Sequence, residues 1–257
     1  MILDNKVAFI TGASSGIGAA SARKLGKAGA KLALLSRAED ELEDFAESLN
    51  ADTLVVVGDI TSEDDLTSAY KQIEDKWGQL DIVFANAGIN GVWAPIEDLQ
   101  LEDWKNTLNI NLTGTFLTIK HSLPLLKKGG GSVIITSSVN GTRMFSNTGA
   151  SAYASSKAGQ LALGQMLAPE LAKYGVRINV VCPGAIDTDI EDNTERVNLD
   201  DIRLPINYPE GTIPLTGKTP GTGEQVADLV LFLASDASSH ITGTPIWIDG
   251  GQSLLQG

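Results

Sequence analysis

The 257-residue chain contains one cysteine, Cys182, and two histidines, His121 and His240. A single thiol excludes an internal disulfide and fits a reducing compartment, so a cytoplasmic location is expected. With so few soft ligands and no Cys/His cluster, no metal site is expected. Basic residues are scarce as well: 19 Lys+Arg face 32 Asp+Glu, a formal net charge of −13. Binding nucleic acid needs a basic face, and anionic membranes repel a chain of this charge, so neither is an expected partner. No uncharged apolar run approaches the roughly 18 residues of a membrane span. The N-terminus lacks a basic stretch followed by an apolar core and a cleavage site, so its apolar run at Val7–Ile10 reads as a first strand and not a signal peptide.

Hydrophobic residues make up 42% and charged residues 20% of the chain, the composition of a globular protein. Apolar, β-branched runs are strand candidates at Val7–Ile10, Leu32–Leu35, Leu54–Val57, Ile82–Ala85, Val133–Thr136, Ile178–Val181 and Ile246–Ile248. Amphipathic stretches lie between them, at Glu39–Leu49, Glu63–Trp77, Glu102–Leu126, Tyr153–Tyr174 and Glu224–Leu233. Strand–helix alternation with strands apolar throughout predicts one α/β domain over residues 1–257, a doubly wound, Rossmann-like parallel sheet of about seven strands with helices on both faces. The stretch Asp187–Gly223 breaks the rhythm with Pro205, Pro209, Pro214 and Pro220 and reads as a lid.

The first strand runs into Thr11-Gly12-Ala13-Ser14-Ser15-Gly16-Ile17-Gly18 and then a helix. Glycines there let backbone amides approach a pyrophosphate, and the helix N-terminus favours its charge. The second strand ends in Ser36-Arg37, where a dinucleotide fold commonly carries an acid for the adenosine ribose. A hydroxyl beside a guanidinium suits a 2′-phosphate and reads as NADP(H) over NAD(H). The rival is that Glu39 or Asp40 holds the ribose, although the helix dipole favours acids there in any case. Asp59 follows the third strand, either as an acceptor for an adenine amino group or as a turn residue. Asn86-Ala87-Gly88 ends the fourth strand at the edge where open sheets bind ligands, with an amide able to tie strands together. Thr136-Ser137-Ser138 ends the fifth strand, and Pro183-Gly184, Ile186 and Thr188 follow the sixth.

Tyr153 and Lys157 stand four apart in a helical stretch and therefore share a face. The ammonium favours phenolate and draws a phenol pKa of about 10 toward working pH, which suits a general acid or base. Asn111 lies among Leu108, Ile110, Leu112 and Phe116, where a buried amide needs partners, or else marks an ordinary polar position.

Together Thr11-Gly12-x-x-x-Gly16-x-Gly18, Asn86-Ala87-Gly88, Asn111, Ser138, Tyr153-x-x-x-Lys157 and Pro183-Gly184 resemble the short-chain dehydrogenase/reductase family, in its single-domain form. The resemblance runs from the first strand to Ile248-Asp249-Gly250-Gly251 and implies hydride transfer between a nicotinamide and a carbonyl or secondary alcohol. It implies Tyr153 as proton donor or acceptor, Lys157 as its partner and ribose ligand, Ser138 as donor to the substrate oxygen, and Asn111 in a water relay. Ser137 is an alternative to Ser138, because the insert Val139–Ala152 is longer than in the shortest members. The implied cofactor contacts take in Gly12, Ser14, Ser15, Gly16, Ile17 and Gly18; Ser36, Arg37, Asp59 and Ile60; Asn86, Ala87 and Gly88; Tyr153 and Lys157; and Pro183, Gly184, Ile186 and Thr188. From the topology, Trp93, Asn140, Met144 and Phe145 are expected around the substrate, with Trp93 a generic packing residue before a specificity element and Arg143 able to meet an anionic group. A small carbonyl or alcohol is the expected partner. The alternatives are a 3-oxoacyl-carrier-protein reductase, with Lys127, Lys128 and Lys173 as a basic patch, or a nucleotide sensor, which would have a damaged site. The resemblance also implies a homodimer or homotetramer built on Glu102–Leu126 and Tyr153–Tyr174, with Trp247–Gly257 as a second interface.

Overall fold

A computed structural model describes residues 1–188, 190, 193–204 and 212–256. Strands β1 (Val7–Thr11), β2 (Lys31–Ser36), β3 (Thr53–Val57), β4 (Ile82–Ala85), β5 (Gly131–Thr136), β6 (Val176–Pro183) and β7 (Pro245–Ile248) form one sheet in the order β7-β6-β5-β4-β1-β2-β3. Every pairing is parallel, with Val7 opposite Lys31, Ala8 opposite Ile82, Ile82 opposite Ser132 and Val180 opposite Pro245. All seven expected strands are present, and the order reverses between β1 and β4, where such sheets open a crevice.

The continuous apolar runs follow from burial on both faces. Phe9 points into a cluster with Leu66, Tyr70 and Ile73 of helix α3 (Glu63–Trp77), while its neighbours Ala8 and Ile10 join Leu25 and Val230 on the opposite face. Helix α1 (Gly16–Lys27), helix α2 (Glu39–Glu47) and helix α7 (Gly223–Ala234) cover that second face. Helix α5 (Gly114–Gly129) and helix α6 (Ser151–Ala172) lie with α3 on the first.

Helix ends obey local chemistry. Ser62 caps α3 through the Asp65 amide, three acids occupy the first turn, and Gly78 closes it at φ +70°. Thr222 and Gln225 form a capping box at the start of α7. The stretch expected as one helix over Glu102–Leu126 is interrupted. Helix α4 (Leu101–Leu108) passes through a π-helical turn at Asn109–Thr113 before α5 resumes.

The region expected as an irregular lid is partly paired. Gly91–Trp93 runs parallel to Thr194–Arg196, and Ile186–Asp187 runs parallel to Gly221–Thr222. A 3₁₀ turn occupies Leu199–Ile202. Pro205 and Pro209 lie outside the described residues. Among the described residues no helix is long and apolar enough to cross a membrane, and no group of His, Cys, Asp and Glu could hold a metal ion.

Candidate active site

The carboxyl ends of β1, β4 and β5 are stitched together by side chains. Thr11 Oγ1 accepts from the amides of Asn86 and Ala87 at 3.0 and 3.1 Å. Asn86 Nδ2 donates to the Thr11 carbonyl at 3.2 Å and its Oδ1 accepts from Thr136 at 3.1 Å, so this amide ties three strands as expected. The turn beyond β1 needs a left-handed residue beside the next strand: Gly12 has φ +64°, and a Cβ there would press on Ala87 at 3.0 Å.

Helix α1 begins without a cap of its own. Ser15, its N-cap residue, makes no side-chain capping bond, and the first turn holds no acid. Its first amides are therefore open to an external anion, and the dipole favours one.

A cavity of about 520 Å³ opens at this edge. Gly12, Ser15, Gly16 and Ile17 line it from the turn, and Asn86, Ala87 and Gly88 from β4. Ser138, Asn140, Tyr153 and Lys157 border it, as do Pro183, Gly184, Ile186 and Thr188, with Trp93 and Met144 as apolar wall.

Several expected residues fall outside the cavity. Gly18 sits behind the turn, where a Cβ would collide with the Gly12 carbonyl oxygen. Ser14 and Ser36 meet through their hydroxyls at 3.1 Å, beyond the cavity wall. Arg37 is 67% exposed with a guanidinium nitrogen 3.8 Å from an Asp59 carboxylate oxygen. The other Asp59 oxygen accepts from the amide and hydroxyl of Thr61 at 2.8 Å, the geometry of a turn residue. Ile60 is buried in the core.

Two pocket expectations need correction. Phe145 is 73% exposed and does not line the cavity, because its neighbour Met144 is the side chain turned inward and buried. Arg143 is not available to an anionic group in the cavity, since its guanidinium stacks 3.6 Å above the Trp247 ring on β7.

The adjacent serines separate cleanly. Ser137 Oγ donates to the Lys157 carbonyl at 2.7 Å and is committed to holding α6. The Ser138 hydroxyl accepts from the Asn140 amide at 3.1 Å and keeps its proton for another acceptor.

Lys157 is buried, and its ammonium donates to the Thr136 carbonyl at 3.0 Å while lying 5.5 Å from the Tyr153 ring centre. Burial draws the lysine down to about 8. The thiol of Cys182 beside it is pushed up by burial to about 11 and is neutral where the lysine titrates. Gly88 makes room for this arrangement: a Cβ there would meet Asn111 Oδ1 at 3.0 Å and Lys157 Nζ at 3.5 Å.

Asn111 does not line the cavity but supports it. Its Oδ1 accepts from the Ile89 amide at 2.8 Å, and Nδ2 donates to the Ile89 carbonyl at 2.9 Å and to Ser156 Oγ at 3.0 Å. The side chain thus clamps the loop after β4 to α6. The Trp93 ring stands 6.4 Å from that of Tyr153, and Asn147 donates to Asn140 Oδ1 at 3.1 Å.

Sequence reasoning missed Gln252, whose Oε1 accepts from the Ala185 amide at 2.8 Å and which reaches the cavity from beyond β7. Ile190 and Asn193 also line it. Nothing local to these residues signals a site; the fold brings them there.

A family model described as enoyl-(acyl carrier protein) reductase matches residues 12–253. The chain is similar in structure to a 3-ketoacyl-ACP reductase from Sinorhizobium meliloti 1021, at 46% identity and TM-score 0.94 over 97% of this chain and 99% of that one. It is 36% identical to trans-4-hydroxycyclohexanecarboxylate dehydrogenase of Sinomonas cyclohexanicum, over 96% of this chain and 93% of the relative. It is 34% identical to levodione reductase of Leifsonia aquatica, over 97% and 94%. The chain belongs to the short-chain dehydrogenase/reductase family, enzymes that bind a nicotinamide cofactor and act on CH–OH and C=O groups.

Proposed function

We propose that the protein is an NADP(H)-dependent reductase of small ketones, and in reverse a dehydrogenase of secondary alcohols, with Ser138, Tyr153 and Lys157 as its catalytic residues. The observation that carries this reading is one cavity bringing these three side chains together beside the uncapped N-terminus of α1. The glycine turn and that terminus fit a pyrophosphate, and Lys157 and Asn86 to Gly88 would hold the nicotinamide end. When bound, the nicotinamide gives or takes the hydride.

The chain's own work is orientation and proton transfer. Ser138 donates from its hydroxyl to the carbonyl oxygen and stabilises charge as it develops there. Tyr153 passes its phenolic proton to that oxygen during reduction and recovers it during oxidation. Lys157, cationic below about pH 8, lies close enough to stabilise the phenolate left behind. Asn111 fixes the loop and helix between which this lysine enters, and a water relay beside it is part of the proposal.

NADP(H) over NAD(H) rests on Ser36 and Arg37. No carboxylate ends β2, and the Arg37 contact with Asp59 is long and exposed, so the guanidinium turns to a 2′-phosphate at little cost. Absorbance-monitored oxidation of NADPH and NADH over a ketone panel, with Tyr153→Phe in parallel, tests the whole reading. Turnover with NADPH that falls at least about 10³-fold in the variant is expected. A preference for NADH would sink the Arg37 argument and return the ribose to Glu39 or Asp40.

A second reading, reduction of a 3-oxoacyl group on an acidic carrier protein, draws on the ammonium groups of Lys127 and Lys173, both held near the Tyr174 ring at 4.5 and 4.9 Å. Lys128 is paired with Glu74 and does not strengthen that patch. The patch lies where α5 and α6 end, at the sheet edge opposite the cavity. Among the described residues Asp187 lines the cavity instead, and Glu195 stands on the short strand paired with Gly91–Trp93, which disfavours an acidic partner at the mouth. Carrier binding at low and high salt separates the two readings.

A further inference from the structure

The turn after Ser138 closes on itself at the cavity wall. The Val139 carbonyl accepts from the amides of Arg143 and Met144, both at 2.9 Å, and Asn140 bridges to Met144. Ser138, Val139, Asn140 and Met144 line the cavity, whereas Thr142 and Arg143 do not. From outside the lining, the Thr142 hydroxyl donates to the Ser138 carbonyl at 2.5 Å and reaches the Val139 carbonyl at 3.2 Å.

The direction of that bond is imposed by a distant strand. Trp247 stands on β7 opposite Cys182 of β6, and its indole Nε1 donates to Thr142 Oγ1 at 3.2 Å. An indole N–H has no capacity to accept, so the threonine oxygen is the acceptor there and its own proton is left for the carbonyls. A hydroxyl that accepts one hydrogen bond donates the next more strongly. The Arg143 guanidinium, 3.6 Å above the indole ring, keeps that ring against the turn.

The peptide between Ser138 and Val139 is thereby held at both ends. Its amide donates to the Pro183 carbonyl at 2.9 Å, and its carbonyl accepts from Thr142. Fixing that plane fixes ψ of Ser138, and with it the direction in which Cβ carries Oγ. The Oγ in turn accepts from the Asn140 amide at 3.1 Å. Small errors in the aim of a group that meets the reacting atoms are costly in rate.

From this geometry we propose that Thr142 is a positioning residue, acting through Ser138, with Trp247 as the donor that orients it. This deepens the carbonyl–alcohol reading above and rests on it.

Thr142→Val keeps the shape of the side chain and removes the hydroxyl. With NADPH and the ketone that turns over best, kcat should fall about five- to tenfold while KM for NADPH stays within about twofold. Thr142→Ser restores the hydroxyl and should recover most of kcat. Trp247→Phe keeps a ring beneath Arg143 and should lower kcat in the same direction, by less. In a Ser138→Ala background, Thr142→Val should change kcat by less than about twofold, because no hydroxyl is left to aim. Losses that multiply in the double variant would mark a packing role and overturn the proposal. So would an unchanged kcat in Thr142→Val.

If the wild type turns over no ketone, the reductase reading is what has failed, and residue-resolved hydrogen exchange of the protein alone still reads the positioning. The Asn140 amide reports on the Ser138 hydroxyl, and the Val139 amide, bonded to Pro183, is the internal reference. Exchange at Asn140 should rise about tenfold in Thr142→Val, and at Val139 by less than about twofold. Equal rates in variant and wild type, or equal acceleration at both amides, would overturn the assignment.

Discussion

At the scale of single residues, neighbouring hydroxyls at the end of β5 are distinguished by what each already holds. Ser137 is spent on the Lys157 carbonyl, so Ser137→Ala should cost about 1–2 kcal/mol of stability, read as a lower denaturation midpoint. Ser138→Ala should instead lower kcat by about 10²-fold with the smaller change in midpoint. The reverse pattern would exchange their roles. Lys157 offers a test of sign. Its folded value of about 8 lies below the 10.5 of an unperturbed lysine, so between these the unfolded chain binds more protons and stability rises with pH. Below about pH 8 the full penalty stands, on the order of 3 kcal/mol. Wild type should therefore gain stability relative to Lys157→Met from pH 8 to 9.5 in urea titrations. A flat difference across that window would show that burial does not depress this lysine.

At the scale of elements, the informative feature is the π-helical turn at Asn109–Thr113. The i, i+4 pattern predicts one helix through this segment, and the extra residue in the turn is not written in that pattern. π-Turns recur at functional sites because they re-aim one side chain without ending the helix. Here the re-aimed side chain is Asn111, which satisfies both polar groups of Ile89 and also meets Ser156. Asn111→Leu leaves those part-buried groups without this partner. It should cost about 2–4 kcal/mol, with kcat falling as the clamp on the loop after β4 loosens. Equal chemical stability of the variant and wild type would refute the clamp. The Tyr153–Lys157 spacing needed no such surprise, because the helix carrying it is regular and four residues return the chain to the same face.

At the scale of the whole molecule, the outer surface of the helical layer carries apolar side chains without cover. Phe116 on α5 is 45% exposed and Met166 on α6 is 74% exposed. A helix that is apolar on its outer side generally has a partner, and we propose self-association through this face. Met166→Glu should shift sedimentation toward monomer at micromolar concentration, whereas an unchanged sedimentation coefficient would place any interface elsewhere.

The sequence by itself determined the seven strands, their parallel arrangement and the sheet edge at which the cavity opens. Strands buried on both faces must be apolar throughout, and glycine–helix junctions are chemically specific, so both leave local marks. It also marked Tyr153 and Lys157, whose spacing is confined to one helix. Only the tertiary structure decided which serine hydroxyl is spent on the Lys157 carbonyl, that Met144 and not Phe145 turns inward, and that Arg143 is taken up by Trp247. It alone brought Gln252 to the site. Each of these depends on contacts between segments tens of residues or more apart, or on the course of an irregular loop, and neither propensity nor periodicity records such contacts.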